Sequence, residues 1–510
     1  MVDKTRVNHF FLLAGLLLLL VSACGQGPPE SLPTPAARFS PGTNFRETPC
    51  RVNPPVGITL TCGKVEVPQD YRQPDGSKLE LSVVIAHSKS DNPSQDPVIF
   101  LPVSPGMSGL RMMEFLADSF GFILKDRDMV FYDPRGVGDS DPTLKECQGV
   151  SDIYFNLMGE GLTREDLQQP LFDSYLACRD QNRDTGFALE FFTTEQHAAD
   201  LNSIRVALGY PDVNLLGNDY GYELAMSLVN ESPEGVRSVT IASADELAAS
   251  YPQKAANLQR SLDLVFKRCR ASQNCQKNFP ELEDQFYKTV MAFNDEPTPL
   301  KINRRGSDES FEITVSGDVL IELTRMLLSS SEGIASLPDI ISNMALERSA
   351  ILNDSVLQMA YRQSFSETSP QMSSFCQVVQ SVDESDLLDQ PAQTILLENN
   401  LNTYNIDRKI CENWFSEPVP FLQNLSVSTS IPFMILQGEY DSVLPVGWIM
   451  ENVASLPNAT VIEVPHTGEQ IDWNQACITR LVGGFLNAPS EPLDTTCIED
   501  IPKILFVMPE

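Results

Sequence analysis

A tight turn with a single carboxylate at its centre is the first candidate for chemistry in this sequence. Residues 217–221 read GNDYG, with the apolar run VNLL before them and the helix-like run YELAMSLVN after them. Glycines at the first and fifth positions are typical of a nucleophile elbow, G-x-S-x-G, a sharp strand-to-helix turn that exposes its central side chain. Asp219 stands where the serine is expected, so the turn is predicted but its usual nucleophile is missing.

A second carboxylate and a histidine follow later in the chain. The segment LQGEYDSVLP places Asp441 after a predicted strand, and VPHTGEQ places His466 and Glu469 after the next one. Acyl transfer at an elbow of this kind needs a nucleophile, an orienting acid and a histidine base, in that chain order. The other three histidines precede Asp441 and are expected to be surface or packing residues: His9, His87 and His197.

The elements that must position these residues alternate between strands and helices. Several of the predicted strands are apolar on both faces, as a buried parallel sheet requires. The predicted strands span 79–87, 97–103, 128–134, 213–217, 236–243, 431–441 and 459–466. Helical spacing at 193–210, 222–230 and 474–487, with Thr193 or Thr194 as a cap, completes an α/β pattern.

The chain divides into five predicted segments. Between 246 and 425 the strand signal fades and long amphipathic stretches indicate a helical insertion. The predicted segments are a signal peptide at 1–23, a Pro/Gly-rich tether at 24–49, a first core part at 50–245, a helical cap at 246–425 and a second core part at 426–510.

Four segments resemble, in order, the α/β-hydrolase exopeptidases of the prolyl aminopeptidase and tripeptidyl aminopeptidase-like group. They are VIFLPVSPGMSG, MVFYDPRGVGDSDPTLKEC, the helix-to-elbow segment that begins FTTEQHAAD, and the tail ACITRLVGGFLNAPSEPLDTTC. The resemblance implies an α/β-hydrolase fold, with a mostly parallel sheet, flanking helices and an inserted cap. It also implies a serine exopeptidase-like hydrolase that releases short N-terminal pieces from peptides.

The chemical positions depart from that family's pattern. Pro102, Val103 and Ser104 stand where His-Gly-Gly is usual in the oxyanion loop, which restricts a backbone that must aim N–H groups at an oxyanion. By the resemblance, the N–H groups of this site belong to Val103, Ser104, Gly106 and Tyr220.

The base position is the second departure. The family pattern V-P-x-x-G-H aligns Gly468 with its glycine and Glu469 with its histidine, so His466 lies three positions early. Three residues of loop span roughly 10 Å at full stretch, and a rearranged loop would bring His466 to the site. The simpler alignment predicts that the base is lost.

Three functions follow for Asp219, so whether the chain is an enzyme is left open. It is a vestigial position in a scaffold that binds a peptide or small molecule, its carboxylate bonded to N–H groups of the next helix. Alternatively, it is the nucleophile of an epoxide hydrolase-like or dehalogenase-like enzyme, with His466 as base. Residual peptidase or esterase activity through His466 is the third. The second function needs donors from the cap, for which the candidates are Tyr361, Tyr404 and Trp414.

The beginning of the chain predicts export. A basic start, an apolar run from Phe10 to Val21 and the junction VSAC resemble a bacterial lipobox with Cys24 as the lipidated residue. The run is shorter than the ~20 residues that cross a bilayer. We therefore expect a lipid anchor in a membrane, with the protein on its extracytoplasmic face.

The composition of the chain argues against some classes of binding partner and for disulfide bonds. The formal net charge is −33, which disfavours nucleic acid as a partner. Besides Cys24, ten cysteines remain, an even number that indicates up to five disulfides in an exported chain. Spacing leaves the connectivity open, and neighbours are the natural pairs: Cys50 with Cys62, Cys147 with Cys178, Cys269 with Cys275, Cys376 with Cys411, and Cys477 with Cys497. No zinc motif is present, and we expect no metal or cofactor.

Overall fold

A computed structural model describes most of the chain beyond its first 44 residues. The described residues are 45–116, 119–145, 147, 150, 164–303, 310–345, 368–416, 419 and 427–509. Cys24, the signal segment, nearly all of the tether and Tyr361 lie outside them. No helix in the described residues combines the length and apolar character needed to cross a membrane.

A nine-stranded sheet lies at the centre of the fold, with the strand order β1-β2-β3-β5-β4-β6-β7-β10-β11. Strands β1, β2, β3 and β5 pair antiparallel, and from β5 to β11 all pairs are parallel. The strands of this sheet are β1 Phe45–Glu47, β2 Leu60–Pro68, β3 Lys78–Ala86, β4 Val98–Phe100, β5 Met129–Tyr132, β6 Val213–Asp219, β7 Val236–Ala244, β10 Phe433–Gly438 and β11 Ala459–Val464.

Helices cover both faces of this sheet. Within the core they are α1 Gly109–Leu116, α2 Arg164–Arg183, α3 Thr194–Ala207, α4 Gly221–Glu231, α14 Val446–Asn452 and α15 Ala476–Asn487. Alternate residues of a strand enter opposite layers. Ile99 packs in the layer of α3, α4 and α14, whereas Phe100 packs in the layer of α1 and α15. The predicted α/β-hydrolase fold is confirmed.

The insertion between β7 and β10 is mostly helical. Its helices are α5 Leu247–Ser250, α6 Lys254–Ala271, α7 Gln273–Asn278, α8 Leu282–Asp295, α9 Gly317–Leu328, α10 Ser331–Ala345, α11 Ser369–Val379, α12 Glu384–Leu388 and α13 Thr394–Cys411. It also contains an antiparallel hairpin, β8 Thr298–Asn303 and β9 Ser310–Val315. This hairpin was not predicted from the sequence, although LKIN and FEITV alternate apolar and polar residues with the period of a strand.

Strand β2 and helices α1 and α2 have no counterpart in the sequence prediction. In β2 the pair Cys62-Gly63 interrupts the alternation that marks a strand. The glycine is required there, because a Cβ on Gly63 would lie 2.4 Å from the Phe45 ring and 2.6 Å from the Arg46 carbonyl oxygen. Strand β1 pairs antiparallel with β2 here, with Glu47 opposite Gly63.

Five disulfides join the ten cysteines in the neighbouring pairs that the sequence suggested. They are Cys50–Cys62, Cys147–Cys178, Cys269–Cys275, Cys376–Cys411 and Cys477–Cys497. Each pair links consecutive cysteines, and no bridge crosses another along the chain.

The C-terminal segment runs from the core across the cap. Ile504, Phe506 and Met508 pack against the hydrophobic core of the cap, and the Val507 N–H donates to the Ala335 carbonyl oxygen at 2.9 Å. The residues between them face solvent, and Leu505 is 83% exposed. The last described residues thus form part of the outer surface of the cap.

A buried ion pair connects the loop after β5 to helix α3. Arg135 and Asp200 have side chains 0% and 1% exposed. The guanidinium donates from Nε and Nη2 to the two carboxylate oxygens at 2.8 and 2.6 Å, and the Tyr71 hydroxyl donates to Asp200 at 2.9 Å. Breaking one partner of such a pair leaves an uncompensated buried charge.

We predict that Asp200→Asn lowers the free energy of unfolding by about 3–5 kcal/mol, since Arg135 is left buried without its counter-charge. The measurement is urea-induced unfolding followed by circular dichroism. The matched control is Glu412→Gln, which breaks the exposed pair Arg408–Glu412 (side chains 50% and 55% exposed) and should leave the free energy of unfolding almost unchanged, because solvent screens exposed pairs. Equal losses in the two variants would contradict the assignment of Arg135–Asp200 as a structural pair.

Candidate functional site

The elbow forms as the sequence predicts. Asp219 ends β6 with a φ of 48°, and α4 begins two residues later. Gly217 and Gly221 both lie against Leu101, where added Cβ atoms would come within 2.8 and 3.2 Å of the Leu101 Cβ. The turn requires both glycines because β4 packs directly beneath it.

Three non-glycine residues with positive φ lie at one edge of the sheet. They are Asp219 (48°), Ser243 (51°) and His466 (64°), at or just after the carboxyl ends of β6, β7 and β11. Such conformations cost on the order of 1 kcal/mol or more each and concentrate at functional sites. This edge is therefore the candidate site.

The predicted acid, Asp441, lies in the loop after β10 and is 1% exposed. Its Oδ1 accepts hydrogen bonds from the N–H groups of Val443 at 2.8 Å and Leu444 at 3.0 Å. Its Oδ2 accepts from Gln437 Nε2 at 2.7 Å. These donors hold the carboxyl group in one orientation.

The loop after β11 brings Glu469, rather than a histidine, toward Asp219 and Asp441. A Cβ on Gly438 would meet the Gly468 carbonyl oxygen at 1.9 Å, and one on Gly468 would meet the Leu328 carbonyl oxygen at 1.9 Å. The glycine of the family pattern thus packs between β10 and the cap. The charge of Glu469 raises the pKa of both Asp219 and Asp441, which places a carboxylate beside these two groups.

Four carboxyl groups consequently share this edge. Burial, followed by the charges of Glu469, Asp245 and Asp441, raises the pKa of Asp219 well above its ordinary value. Burial and Glu469 raise the pKa of Asp441 to about 8. Ionisation of either group is disfavoured, because it would place another negative charge beside those already there.

Sequence reasoning missed Asp245, the fourth member of this group. It follows β7, and burial raises its pKa although Ser250 and the Glu246 N–H lower it. The usable signal was its position: SADE begins at the carboxyl end of the strand next to the elbow strand, and parallel strands bring such ends together.

His466 faces away from this group of carboxyls. Its Nδ1 is hydrogen-bonded to Nη1 of Arg268 on α6 and lies 3.7 Å from a Glu439 carboxylate oxygen. The charges that shift its pKa are those of Arg268, Glu439 and Lys503. Among the described residues no hydrogen bond joins His466 to Asp441 or Asp219.

The Asp219 carboxylate does not use the helix N-terminus as the sequence analysis expected. Within the described residues its hydrogen-bond donor is Asn218 Nδ2, at 3.2 Å, and no N–H of α4 donates to it. Burial and three neighbouring carboxyls outweigh the attraction of the helix dipole for an anion.

The oxyanion loop is closed on itself and covered by the cap. The Gly106 N–H donates to Ser104 Oγ at 3.3 Å, so it is engaged within the loop. A Cβ on Gly106 would lie 1.8 Å from Thr368 Oγ1, at the start of α11. Val103 and Tyr220 flank this region, and the Tyr220 hydroxyl points inward to His197 Nδ1 at 3.1 Å.

Asp133 explains why the D-x-R-G segment accompanies this loop. It accepts a hydrogen bond from the Ser108 hydroxyl and one from the Leu110 N–H at 3.2 Å. It also accepts from the Asp139 N–H at 2.8 Å. One buried carboxylate therefore fixes both motifs next to the elbow.

Of the three aromatic candidates from the cap, the two that the structure describes are engaged within the cap. Trp414 Nε1 donates to Ser373 Oγ at 3.0 Å, and the Tyr404 hydroxyl donates to the Val382 carbonyl oxygen at 2.9 Å. Both side chains pack in a hydrophobic cluster of the cap. In the described part of the chain, no group of three His, Cys, Asp or Glu residues is arranged to hold a metal ion.

Comparison with known proteins agrees with this geometry. Residues 96–308 match the alpha/beta hydrolase fold family. This match agrees with the α/β-hydrolase fold seen in the structure. Residues 398–497 match the TAP-like protein family, and this segment contains β10, the Asp441 loop, β11 and the Glu469 loop.

Three individual proteins that match the chain are named as peptidases or hydrolases. The chain is 31% identical to the tripeptidyl aminopeptidase of Streptomyces lividans over 191 residues, 36% of this chain and 35% of that protein. It is 29% identical to the serine protease Hip1 of Mycobacterium tuberculosis over 205 residues, 38% of each chain. These matches span little more than a third of those relatives. The putative hydrolase YuaR of Escherichia coli is 24% identical and matches along 86% of this chain and 88% of its own.

We predict that Asp219→Asn stabilises the protein, and increasingly so as the pH rises. The raised pKa of Asp219 means that its contribution is favourable while it is protonated and is lost as the pH rises from its ordinary value of 3.8 toward its folded value. By about pH 8 the variant should exceed the wild type by roughly 1–3 kcal/mol in urea unfolding. Asp212→Asn, an exposed aspartate just before β6, is the control and should show no such widening. A constant difference across pH would attribute the gain to the preference of asparagine for positive φ instead.

Proposed function

We propose that this chain is an exported, lipid-anchored α/β-hydrolase of the tripeptidyl aminopeptidase-like group that has lost serine peptidase chemistry. Its cleft, between the carboxyl edge of the sheet and the cap, binds a peptide or small molecule without turnover. The observation that carries the proposal is the position of Glu469. A carboxylate lies beside Asp219 and Asp441 where a base is required, while His466 is bound to Arg268.

Peptide hydrolysis fails in this site at two steps. The nucleophile of acyl transfer must be activated by a base that then protonates the leaving amine. Asp219 attacking an amide would form a mixed anhydride and supply no proton for the amine. The oxyanion loop gives further support, since its Gly106 N–H is engaged by Ser104 and the cap residue Thr368 packs on it.

The epoxide hydrolase-like and dehalogenase-like alternative is also disfavoured. That chemistry requires an ionised carboxylate and a histidine that activates water. Burial and neighbouring carboxyls raise the pKa of Asp219 well above its ordinary value and so oppose that ionisation. The side chains of Trp414 and Tyr404 pack in a hydrophobic cluster of the cap, so they do not supply hydrogen-bond donors beside Asp219.

Export through a lipobox agrees with the disulfides. Five bridges within the described residues require an oxidising compartment to form and persist. A tether after Cys24 would then hold the folded part outside the membrane.

The triad can be rebuilt to test the loss. In Asp219→Ser/Glu469→His, Asp441 lies where it can orient the new histidine. We expect hydrolysis of aminoacyl and tripeptidyl p-nitroanilides at least about a hundredfold above background, since a Ser–His pair supplies on the order of 10⁴-fold or more. Wild type and the single variant Asp219→Ser should release no p-nitroaniline but should bind the same peptides in isothermal titration calorimetry.

Turnover of a substrate by the wild-type protein would contradict the proposal. The assay therefore includes short esters, epoxides and haloalkanes. Turnover of any of these that disappears in Asp219→Asn would make Asp219 a nucleophile and the chain an enzyme.

The anchor has its own test. In a bacterial host, Cys24→Ala should abolish incorporation of labelled fatty acid and move the protein out of the membrane fraction, because the acyl chains provide the membrane affinity. Ser22→Ala, which alters the same junction but keeps Cys24, should retain the label. Membrane retention of unlabelled Cys24→Ala would point to another mode of attachment.

A further inference from the structure

Helix α6 of the cap forms hydrogen bonds with both the loop after β10 and the loop after β11, which carry Asp441 and Glu469. Arg260 Nη2 donates to the Glu439 carbonyl oxygen at 2.9 Å, and Ser261 Oγ donates to the Asp441 carbonyl oxygen at 3.1 Å. About two turns later, Arg268 Nη2 binds both Glu439 carboxylate oxygens, at 2.9 and 3.0 Å. The loop after β10 is thus held along one side of the helix.

Arg268 also binds the loop after β11. Its Nη1 is hydrogen-bonded to His466 Nδ1. A guanidinium only donates hydrogen bonds, so His466 Nδ1 must carry its lone pair and the imidazole must be neutral, with its proton on Nε2. Protonation at Nδ1 removes the acceptor and turns the contact into a repulsion between two cations.

The loop that contains His466 ends at Glu469. The Ser331 hydroxyl of α10 donates to the His466 carbonyl oxygen at 2.9 Å, and the His466 N–H donates to Glu439 at 2.9 Å. Gln470 N–H donates to the Ser329 carbonyl oxygen at 2.8 Å. The side-chain contact with Arg268 is the titratable part of this attachment.

Three charged groups surround His466. Arg268 on α6 and Lys503 in the C-terminal segment oppose its protonation, and Glu439 in the loop after β10 favours it. The imidazole is only 13% exposed. Burial, then Arg268, lowers its pKa, so the contact is intact at neutral pH and is lost on acidification.

We propose that the His466–Arg268 contact is a pH-sensitive latch between the cap and the loop that carries Glu469. In acid, the protonated imidazole and the guanidinium separate, and residues 465–470 lose one of their attachments to α6. The cap then holds Glu469 beside Asp219 and Asp441 less firmly. The latch does not depend on whether the site turns over a substrate.

Amide hydrogen exchange measured by mass spectrometry tests the latch on the complete exported domain. In wild type, the protection factors of residues 462–472 should fall about tenfold between pH 7 and about pH 4.5, as the histidine gains its proton. His466→Asn is the decisive variant. Asparagine tolerates the positive φ of this position, and its Oδ1 accepts from Arg268 without titrating, so protection should stay constant.

Two further variants complete the design. Arg268→Met should show the low protection at both pH values, and His87→Asn, a change at a histidine outside the site, should behave as wild type. An identical fall in wild type and in His466→Asn would overturn the latch, as would unchanged protection in wild type. Histidine Cε1–H signals in nuclear magnetic resonance supply a second criterion, because the midpoint of His466 titration must coincide with that of the exchange.

Discussion

Holding several carboxyl groups close together at one edge of the sheet is the constraint on which this site depends. Asp219, Asp245, Asp441 and Glu469 meet at the carboxyl edge of parallel strands, where the fold ordinarily pairs a nucleophile with a base. Because like charges at short range oppose one another's ionisation, the charge of Glu469 raises the pKa of both Asp219 and Asp441. The residues at the nucleophile, acid and base positions therefore influence one another's protonation.

The scaffold around these residues is nevertheless intact. The elbow still bends over Leu101, Asp133 still joins two motifs through its hydrogen bonds, and Gly468 still packs between β10 and the cap. These features are costly to keep, because each forbids a side chain or strains a backbone. The framework that positions the elbow, the acid loop and the loop after β11 is therefore present although the residues at the nucleophile and base positions differ from the family pattern.

Sequence patterns predicted the fold and most of the central site. Apolar runs gave the parallel strands, since burial on both faces leaves a continuous signal, and the glycine spacing gave the elbow. Strand β2 was not predicted because Cys62-Gly63 interrupts its alternation of apolar and polar residues. The cap hairpin was not predicted because turn-forming residues dominate its segment. Asp245 could not be singled out, because its proximity to Asp219 arises from strand pairing rather than from spacing along the chain.

The orientation of His466 is the clearest case of what spacing leaves undecided. A loop of three residues permits the imidazole to reach the site or to face away, and the sequence allows both. The choice is made by Arg268, which lies nearly two hundred residues earlier and shares its guanidinium between His466 and Glu439. Long-range partners of this kind decide the role of a side chain.

The pairing of consecutive cysteines has a consequence for the order in which the disulfides of this chain can form. A polypeptide that emerges amino terminus first presents each cysteine to an oxidant while only its correct partner is still unpaired. The separations of 12, 31, 6, 35 and 20 residues mean that each bridge can close before the next pair arrives. Such a chain needs an enzyme that makes disulfides as it emerges, and has little use for one that reshuffles them.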